Sequence, residues 1–551
     1  MRSSSRIGSH LTAVLLLLTF SAEARGEDWL SWAGPRSDFT VEAGRLAEEW
    51  PSSGPPRLWE RPLGGGYSAI LVQDGRLFTM YRDGQEDVLV GLEGTTGATV
   101  WEHRDTYAIW PDMEKSFGLG PNTTPLLIAG RLVGVGISGR MRAVEADTGK
   151  LVWLRDLPSD FGRRKRVEEY GYSGNPLAWD GKVLTQVGGD ETAVVAFEAA
   201  DGSVVWKSAP GGVSYGAPTL RRLAGRDHYV YFEPEGVVGL DPATGETLWR
   251  HPIELTNGNH LTPVVPCGDN HLWVSSQFDS GGGRLLEITA AGDGLEVEEH
   301  WFTTRLQASH WPLHCQGDFV YGSIGGNSSS RLAAVRWKTG EIAWQKRGFH
   351  KAQSLWADGK LLFLDEDGDL TLARVSPQGI EILANATVAE DHAWTLPTLV
   401  GTTLYVRDQE KVLALDLSAP PAAAVAAEVM AAAESLLTVR QAELLESQPD
   451  VEGPDGRRWT IRQTDVLRVN LVEMRGEVPR HVHPDTRHSL MVLKGEVRVH
   501  AGDKETVLGE GDFVSIPRGL PHHYVVVGES ALLVSMDAPD YDPAKTVLVD
   551  R

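Results

Sequence analysis

The chain has 551 residues, 41% of them apolar and 23% charged, with a formal net charge of −23 and two cysteines. Such a length exceeds one ordinary domain and supplies apolar sequence for two or more cores. The acidic balance repels phosphate backbones and anionic lipid, which argues against nucleic acid as a partner, and two cysteines are too few for a disulfide-stapled scaffold.

At the amino terminus a basic head (Arg2 to Arg6) precedes the apolar run "LTAVLLLLTF", Leu11 to Phe20, and the small residues Ala22 and Ala24. This is the pattern of a signal peptide, residues 1–24, cut after Ala24. The run falls short of the about 20 residues that a spanning helix needs. A secreted or periplasmic product with no transmembrane segment after leader removal is expected. The one basic run, "RRKR" at 163–166, reads as a solvated loop.

Internal repeats dominate the next 390 or so residues. One mark is a turn followed by tryptophan: "LEGTTGATVW" to Trp101, "VEADTGKLVW" to Trp153, "FEAADGSVVW" to Trp206, "LDPATGETLW" to Trp249 and "VRWKTGEIAW" to Trp344. Weaker copies are "ITAAGDGLEVEEHW", ending at Trp301, and "RVSPQGIEIL", ending at Leu383. The second mark is a short strand, a turn glycine and another strand, with glycines at 75, 130, 181, 225, 268, 317, 359 and 401. Eight copies at this spacing match one four-stranded propeller blade each. The last copy offers only inner strands, ending "VLALDL", whereas "PPRLWERPL" near the start is a lone outer strand with Trp59. Joining the two completes an eighth blade and hides both sheet edges.

The repeats read A-x-D-x-x-T-G-x-x-x-W, and residues 28–418 resemble a pyrroloquinoline-quinone (PQQ)-type repeat β-propeller. The resemblance implies an eight-bladed all-β ring but no particular activity, because the family holds both quinoprotein dehydrogenases and inert scaffolds. A quinone site is not expected here, since the chain lacks an adjacent cysteine pair and a matching calcium carboxylate cluster. A PQQ-dependent dehydrogenase is therefore the minor alternative.

Residues just before each inner strand are expected around one mouth of the channel: Tyr67, Asn122, Tyr172, Tyr215, His260, His310, His350 and Trp394. Aromatic and amide groups converging there suit a small molecule, a glycan or a protein loop. Packing of the channel itself is the competing reading. Cys267 and Cys315 fall at matching places in neighbouring blades, and two free, half-buried thiols are expected.

From Ala419 to Ser447 the composition turns to alanine, glutamate and leucine after two prolines, which predicts a helical linker of about six turns. From Val451 to Arg551 short alternating strands follow, punctuated by glycine and proline, as in a small antiparallel barrel. Here "HVHPDTRHSLMVLKG" places His481, His483 and His488 between Gly476 and Gly495, and "GDFVSIPRGLPHH" follows with Pro517, Gly519 and His522. These spacings resemble the two cupin motifs and imply a double-stranded β-helix barrel. They further imply one divalent ion, Fe, Mn, Ni, Cu or Zn, held by His481, His483, His488 and His522. His488 stands where the family places glutamate, which leaves the ion's charge uncompensated by its direct ligands. Tyr524 is a candidate to position a ligand.

Two functions are in view. The first is an exported binding or scaffold protein whose cupin binds or senses a small ligand through its metal. The second is a metal-dependent cupin enzyme of the dioxygenase, isomerase or hydrolase type, with the propeller binding substrate or partner. No catalytic residue is identified from sequence.

Overall fold

The computed structural model describes residues 26–419, 441–538 and 547–548, less 52, 112, 163–166, 190, 256–259, 279–280, 326–329, 350, 391, 464–467 and 485. The signal segment, the basic run at 163–166, His350 and most of the alanine-rich linker thus lie outside the described residues. Two compact units are separated at Ala419/Pro420. No helix among the described residues is long and apolar enough to cross a membrane.

The first unit is an eight-bladed propeller. Seven four-stranded antiparallel sheets follow in chain order from Leu71 to Thr387, and the eighth combines 398–416 with Arg57–Pro62. Each blade starts with a tight hairpin. All eight turn glycines adopt left-handed φ angles of 58 to 78°, and in five blades the preceding residue, such as Asp74 or Asp180, does so too. Two consecutive positive-φ residues match the twist of the flanking strands, which is why Asp-Gly recurs there.

The tryptophans join blade to blade. Trp101 Nε1 donates to the Ala146 carbonyl of the next blade at 2.9 Å, Trp153 to Ala199 at 3.1 Å and Trp206 to Pro242 at 3.1 Å. Each ring also lies on a second glycine of that next blade, the one in the turn between its third and fourth strands (Gly149, Gly202 and Gly245). A Cβ at Gly149 would stand 2.3 Å from the Trp101 ring, and one at Gly202 2.7 Å from Trp153. The glycine therefore serves two purposes, a left-handed turn and a seat for the neighbour's indole.

Ring closure follows the sequence reading. Arg57–Pro62 pairs antiparallel with Lys411–Asp416, and Trp59 Nε1 donates to the Gly94 carbonyl of the first blade at 2.8 Å. Arg407, 1% exposed, adds bonds to the carbonyls of Ser68 and Met80 at 2.8 Å and of Gly64 at 3.1 Å.

Three findings depart from the sequence reading. First, Cys267 and Cys315 form a disulfide with Cα atoms 5.5 Å apart, rather than two free thiols. Both lie on first strands of adjacent blades, Val265–Cys267 and His314–Gln316, where blades converge on the channel and matching positions come closest. Second, in the seventh blade Ala384, not Leu383, occupies the tryptophan seat, because Leu383 is skipped in the pairing. Third, the segment before the first blade touches inner strands on opposite sides of the ring. Trp29 bridges Val72 of the first blade, Leu30 accepts from Leu127 of the second, the Ser37 carbonyl accepts from Arg221 of the fourth, Phe39 lies edge-on to His314 of the sixth at 6.4 Å, Thr40–Val41 pairs parallel with Trp356–Ala357 of the seventh, and Ala43 bridges Gly401 of the eighth. It therefore crosses the central channel.

The second unit is a cupin barrel. Val451–Gly453, Gly456–Gln463, Arg468–Met474, His522–Ala538 and Glu477–Val482 form one ladder, and Arg487–Ala501 pairs with His522–Ala538 along most of its length. The described end of the linker is the helix Gln441–Glu446, and Leu444 and Leu445 pack on the cluster of Trp459, Leu471 and Leu532.

Trp249 differs from its siblings, for its buried Nε1 has no acceptor. Trp153→Phe leaves the Ala199 carbonyl unpaired and costs about 1–3 kcal/mol. Trp249→Phe forfeits no such bond, so calorimetry is expected to show the larger fall in melting temperature for Trp153→Phe. A thiol assay on the denatured, unreduced chain is expected to find no reactive thiol, and to find both after reduction.

Candidate metal centre

His481 is the penultimate residue of the strand Glu477–Val482, and His522 begins His522–Ala538; the two are register partners on adjacent antiparallel strands. His483 lies one residue beyond its strand, and its carbonyl accepts from Gly519 N at 2.9 Å in the turn before His522. The two cupin motifs are thus stitched together at the histidines. All three side chains are buried, and one nitrogen of each lies within 4.8 Å of the other two.

Hydrogen bonds fix the tautomers. His481 Nδ1 is 2.7 Å from the Pro479 carbonyl and His522 Nδ1 is 2.8 Å from the Leu520 carbonyl. A carbonyl only accepts, so both Nδ1 atoms carry the proton and both Nε2 atoms keep a lone pair. His522 Nε2 is buried with no protein partner. His481 Nε2 stands 3.1 Å from His483 Nε2, close to the about 3.3 Å that separates two imidazole nitrogens on one tetrahedral ion.

Burial holds these rings neutral. It pushes the His522 imidazole down to about 3, and the His483 imidazole down to about 4 with help from His488 and His481. His481 is lowered for the same reason, opposed by its bond to Pro479. Neutral imidazole is the form that ligates.

His488 is not in the tight triad. Its ring centre lies 5.2 Å from that of His483 and 5.7 Å from that of His522, and its Nδ1 is bound to the Asp537 carboxylate, its register partner. A carboxylate on Nδ1 leaves the lone pair on Nε2 and places a negative charge one hydrogen bond behind the ring. The uncompensated charge expected from sequence is therefore corrected by Asp537, which no motif had singled out. Tyr524 is 2% exposed, its hydroxyl has no protein partner, and its ring lies 5.4 Å from His522. Burial and Asp537 raise its pKa well above the ordinary value, so the phenol stays a donor. The pocket is completed by Asn470, Met474, Leu490 and Leu533 and holds about 190 Å³.

The propeller carries a larger cavity of about 490 Å³. Of the residues expected at the channel mouth, Tyr67, Asn122, Tyr215, His310 and Trp394 line it. Tyr172 and His260 do not: Tyr172 is buried with its hydroxyl donating to the Val187 carbonyl, and His260 is fully buried, stacked on Phe232 at 4.6 Å. Both were placed by blade position alone, and the chain turns inward there.

Aromatic rings form the cavity wall, with Trp394 5.7 Å from both Tyr67 and Phe117, and Tyr170 5.4 Å from Tyr215. Trp32, from the crossing segment, also lines it. Lys351 lies 5.3 Å from the Trp394 ring and pairs with Glu366 at 2.6 Å. Burial pushes His310 down to about 4, and its Nε2, both amide atoms of Gln277 and Gln353 Oε1 are buried without a protein partner. Trp32, Phe117, Tyr170, Gln277 and Lys351 went unnoticed in the sequence, because they come from the crossing segment and from loops of unequal length that break the repeat register.

The family model described as outer membrane protein assembly factor BamB matches residues 85–346, and the model described as cupin domain matches residues 469–536. The chain is 22% identical over 290 residues to outer membrane protein assembly factor BamB of Yersinia pestis, covering 50% of this chain and 68% of that protein. It is 37% identical over 57 residues to quercetin 2,3-dioxygenase of Bacillus subtilis, covering 10% of this chain and 17% of that one. The quinohemoprotein alcohol dehydrogenase structure from Comamonas testosteroni matches with a TM-score of 0.51 at 14% identity, covering 73% of this chain and 82% of that one, a likeness of fold.

As the pH falls below about 6.5, the unfolded chain takes up protons before the buried histidines do. The metal-free cupin is therefore fully stabilised above that pH and loses stability as pH drops through about 4 toward 3. Melting temperatures between pH 7 and pH 4 are expected to fall less steeply for His522→Gln than for the parent chain.

The chain joins a PQQ-type repeat β-propeller to a C-terminal cupin domain.

Proposed function

We infer that this chain is an exported binding protein whose cupin holds one divalent transition-metal ion and presents it to a small ligand. The observation that carries the reading is the convergence of His481, His483 and His522, two of them with Nδ1 anchored on backbone carbonyls and Nε2 turned to a common point. His488 repeats the pattern with Asp537 in place of a carbonyl and is assigned as the fourth ligand. Imidazole-rich sites suit Fe, Mn, Ni, Cu or Zn, with affinity favouring the later ions. Such an ion would supply Lewis acidity toward an oxygen of the bound ligand. The chain's own residues shape the rest: Asp537 orients His488, Tyr524 offers a buried hydroxyl, and the apolar wall of Met474, Leu490 and Leu533 excludes water.

The propeller cavity is read as the recognition module. Aromatic faces flanked by unpartnered amide and imidazole groups suit a neutral polar ligand such as a glycan. Export is supported by the leader pattern and by the Cys267–Cys315 bridge, which persists in an oxidising compartment.

A metal-dependent enzyme is the second reading, favoured by the buried, unpartnered hydroxyl of Tyr524, whose ring lies 5.4 Å from that of His522. Metal analysis of the full chain is expected to give one ion at the cupin, lost in His481→Ala/His483→Ala, with His488→Ala weakening affinity by about tenfold or more. Equal metal in parent and double variant would sink the assignment. Oxygen consumption or product formation that depends on His481 would decide for the enzyme.

A further inference from the structure

Every blade pairs its third and fourth strands with the same irregularity. One residue of the outer strand is skipped just before the tryptophan seat. In seven blades it is valine, leucine or alanine, as at Val100, Val152, Val205 and Leu58, whose side chains are more than a third exposed at the rim. In the fifth blade it is His300. A bulge re-aims the residue that it skips, and here it brings His300 Nε2 to 2.7 Å from Glu287 Oε2.

Glu287 sits two residues past the tryptophan's register partner, opposite His271 of the second strand. The equivalent acids Glu93, Glu145 and Glu198 face Arg76, Arg131 and Lys182, which neutralise a carboxylate but do not ligate a metal. In the fifth blade the facing residue is His271, with Nε2 3.8 Å from the same Glu287 oxygen. Among the described residues, no other blade flanks this acid with imidazole on both sides.

Three ligand atoms, one from each side chain, lie within 4.8 Å of one another. Ligand atoms on one tetrahedral zinc ion stand about 3.3 Å apart, between the 2.7 and 3.8 Å observed here. The side chains are 24, 27 and 32% exposed, open enough for an ion to enter. His271 is braced by the Trp337 ring at 5.0 Å, at the blade boundary that Cys267–Cys315 also ties.

The same blade needs bracing. Its third and fourth strands are ten residues each, the longest hairpin of the ring among the described residues. Its turn lacks the Thr-Gly seat, and the incoming Trp249 finds no carbonyl acceptor on it. We propose that His271, Glu287 and His300 bind one zinc-class divalent ion, which cross-links the second, third and fourth strands of the fifth blade. Two imidazoles and one carboxylate are a donor set for such an ion, with solvent as the fourth ligand.

The test uses the full chain carrying His481→Ala/His483→Ala, so that the cupin histidines do not contribute. After chelator treatment it is titrated with Zn2+ against a chromophoric competitor, and with Co2+ as a spectroscopic probe. One equivalent of Zn2+, a tetrahedral-type Co2+ absorption and a Zn2+-dependent rise in melting temperature are expected. His300→Val installs the residue that three sister blades carry at this bulge, so it preserves the fold. It is expected to weaken Zn2+ binding by at least about tenfold and to abolish the Co2+ band and the thermal shift. Glu287→Gln, which keeps the side-chain size, is expected to do the same. Unchanged stoichiometry and affinity in His300→Val, or no Zn2+ uptake in its parent, would overturn the proposal.

Discussion

An indole N–H donated across a blade boundary, with its ring laid on a glycine, is the contact on which the propeller rests. Each blade alone is a four-stranded sheet with two apolar faces, and it becomes stable only when both faces are covered. The tryptophan supplies a large share of that cover and directs it, since Trp101, Trp153 and Trp206 each reach one particular carbonyl of the next blade. The glycine that receives the ring must lack a side chain and must also bend the chain. Two demands on one position explain why threonine-glycine and tryptophan recur together.

That coupling is also why so much of the fold was legible. Turn glycines with left-handed φ, tryptophans at fixed offset and the split eighth blade are all local or periodic signals, and the sheets follow them. What escaped reading was set by long-range geometry. The pairing of Cys267 with Cys315 depends on how far neighbouring inner strands converge, which no spacing records. Tyr172 and His260 stand at positions equivalent to those of cavity residues, yet local turns bury them. Trp32 reaches the cavity from a segment outside the repeat altogether.

In the cupin the structure divides the tasks of the four histidines that the motif spacing names, bringing three together and setting His488 apart. His481 and His522 lean on carbonyls two residues earlier in the chain, an arrangement local enough to be built into each strand end. His488 leans instead on Asp537, 49 residues away, so its orientation depends on the pairing of the two longest strands. A negative charge that the motif normally supplies directly is moved outward by one residue. The site keeps three neutral nitrogens in a tight group, with an anion behind the fourth.

The split eighth blade makes the propeller a test of its own completeness. Arg57–Pro62 is among the first segments synthesised, and its partner Lys411–Asp416 is the last strand of the ring. Such a contact is slow to form, because nearly the whole ring must be ordered before the two ends meet. Until they meet, both strands present open edges that invite foreign pairing or proteolysis. A chain truncated anywhere before residue 411 keeps that edge open, so products that stop short of the last strand stay marked by it, whereas any chain that includes Lys411–Asp416 has both halves of the closing blade.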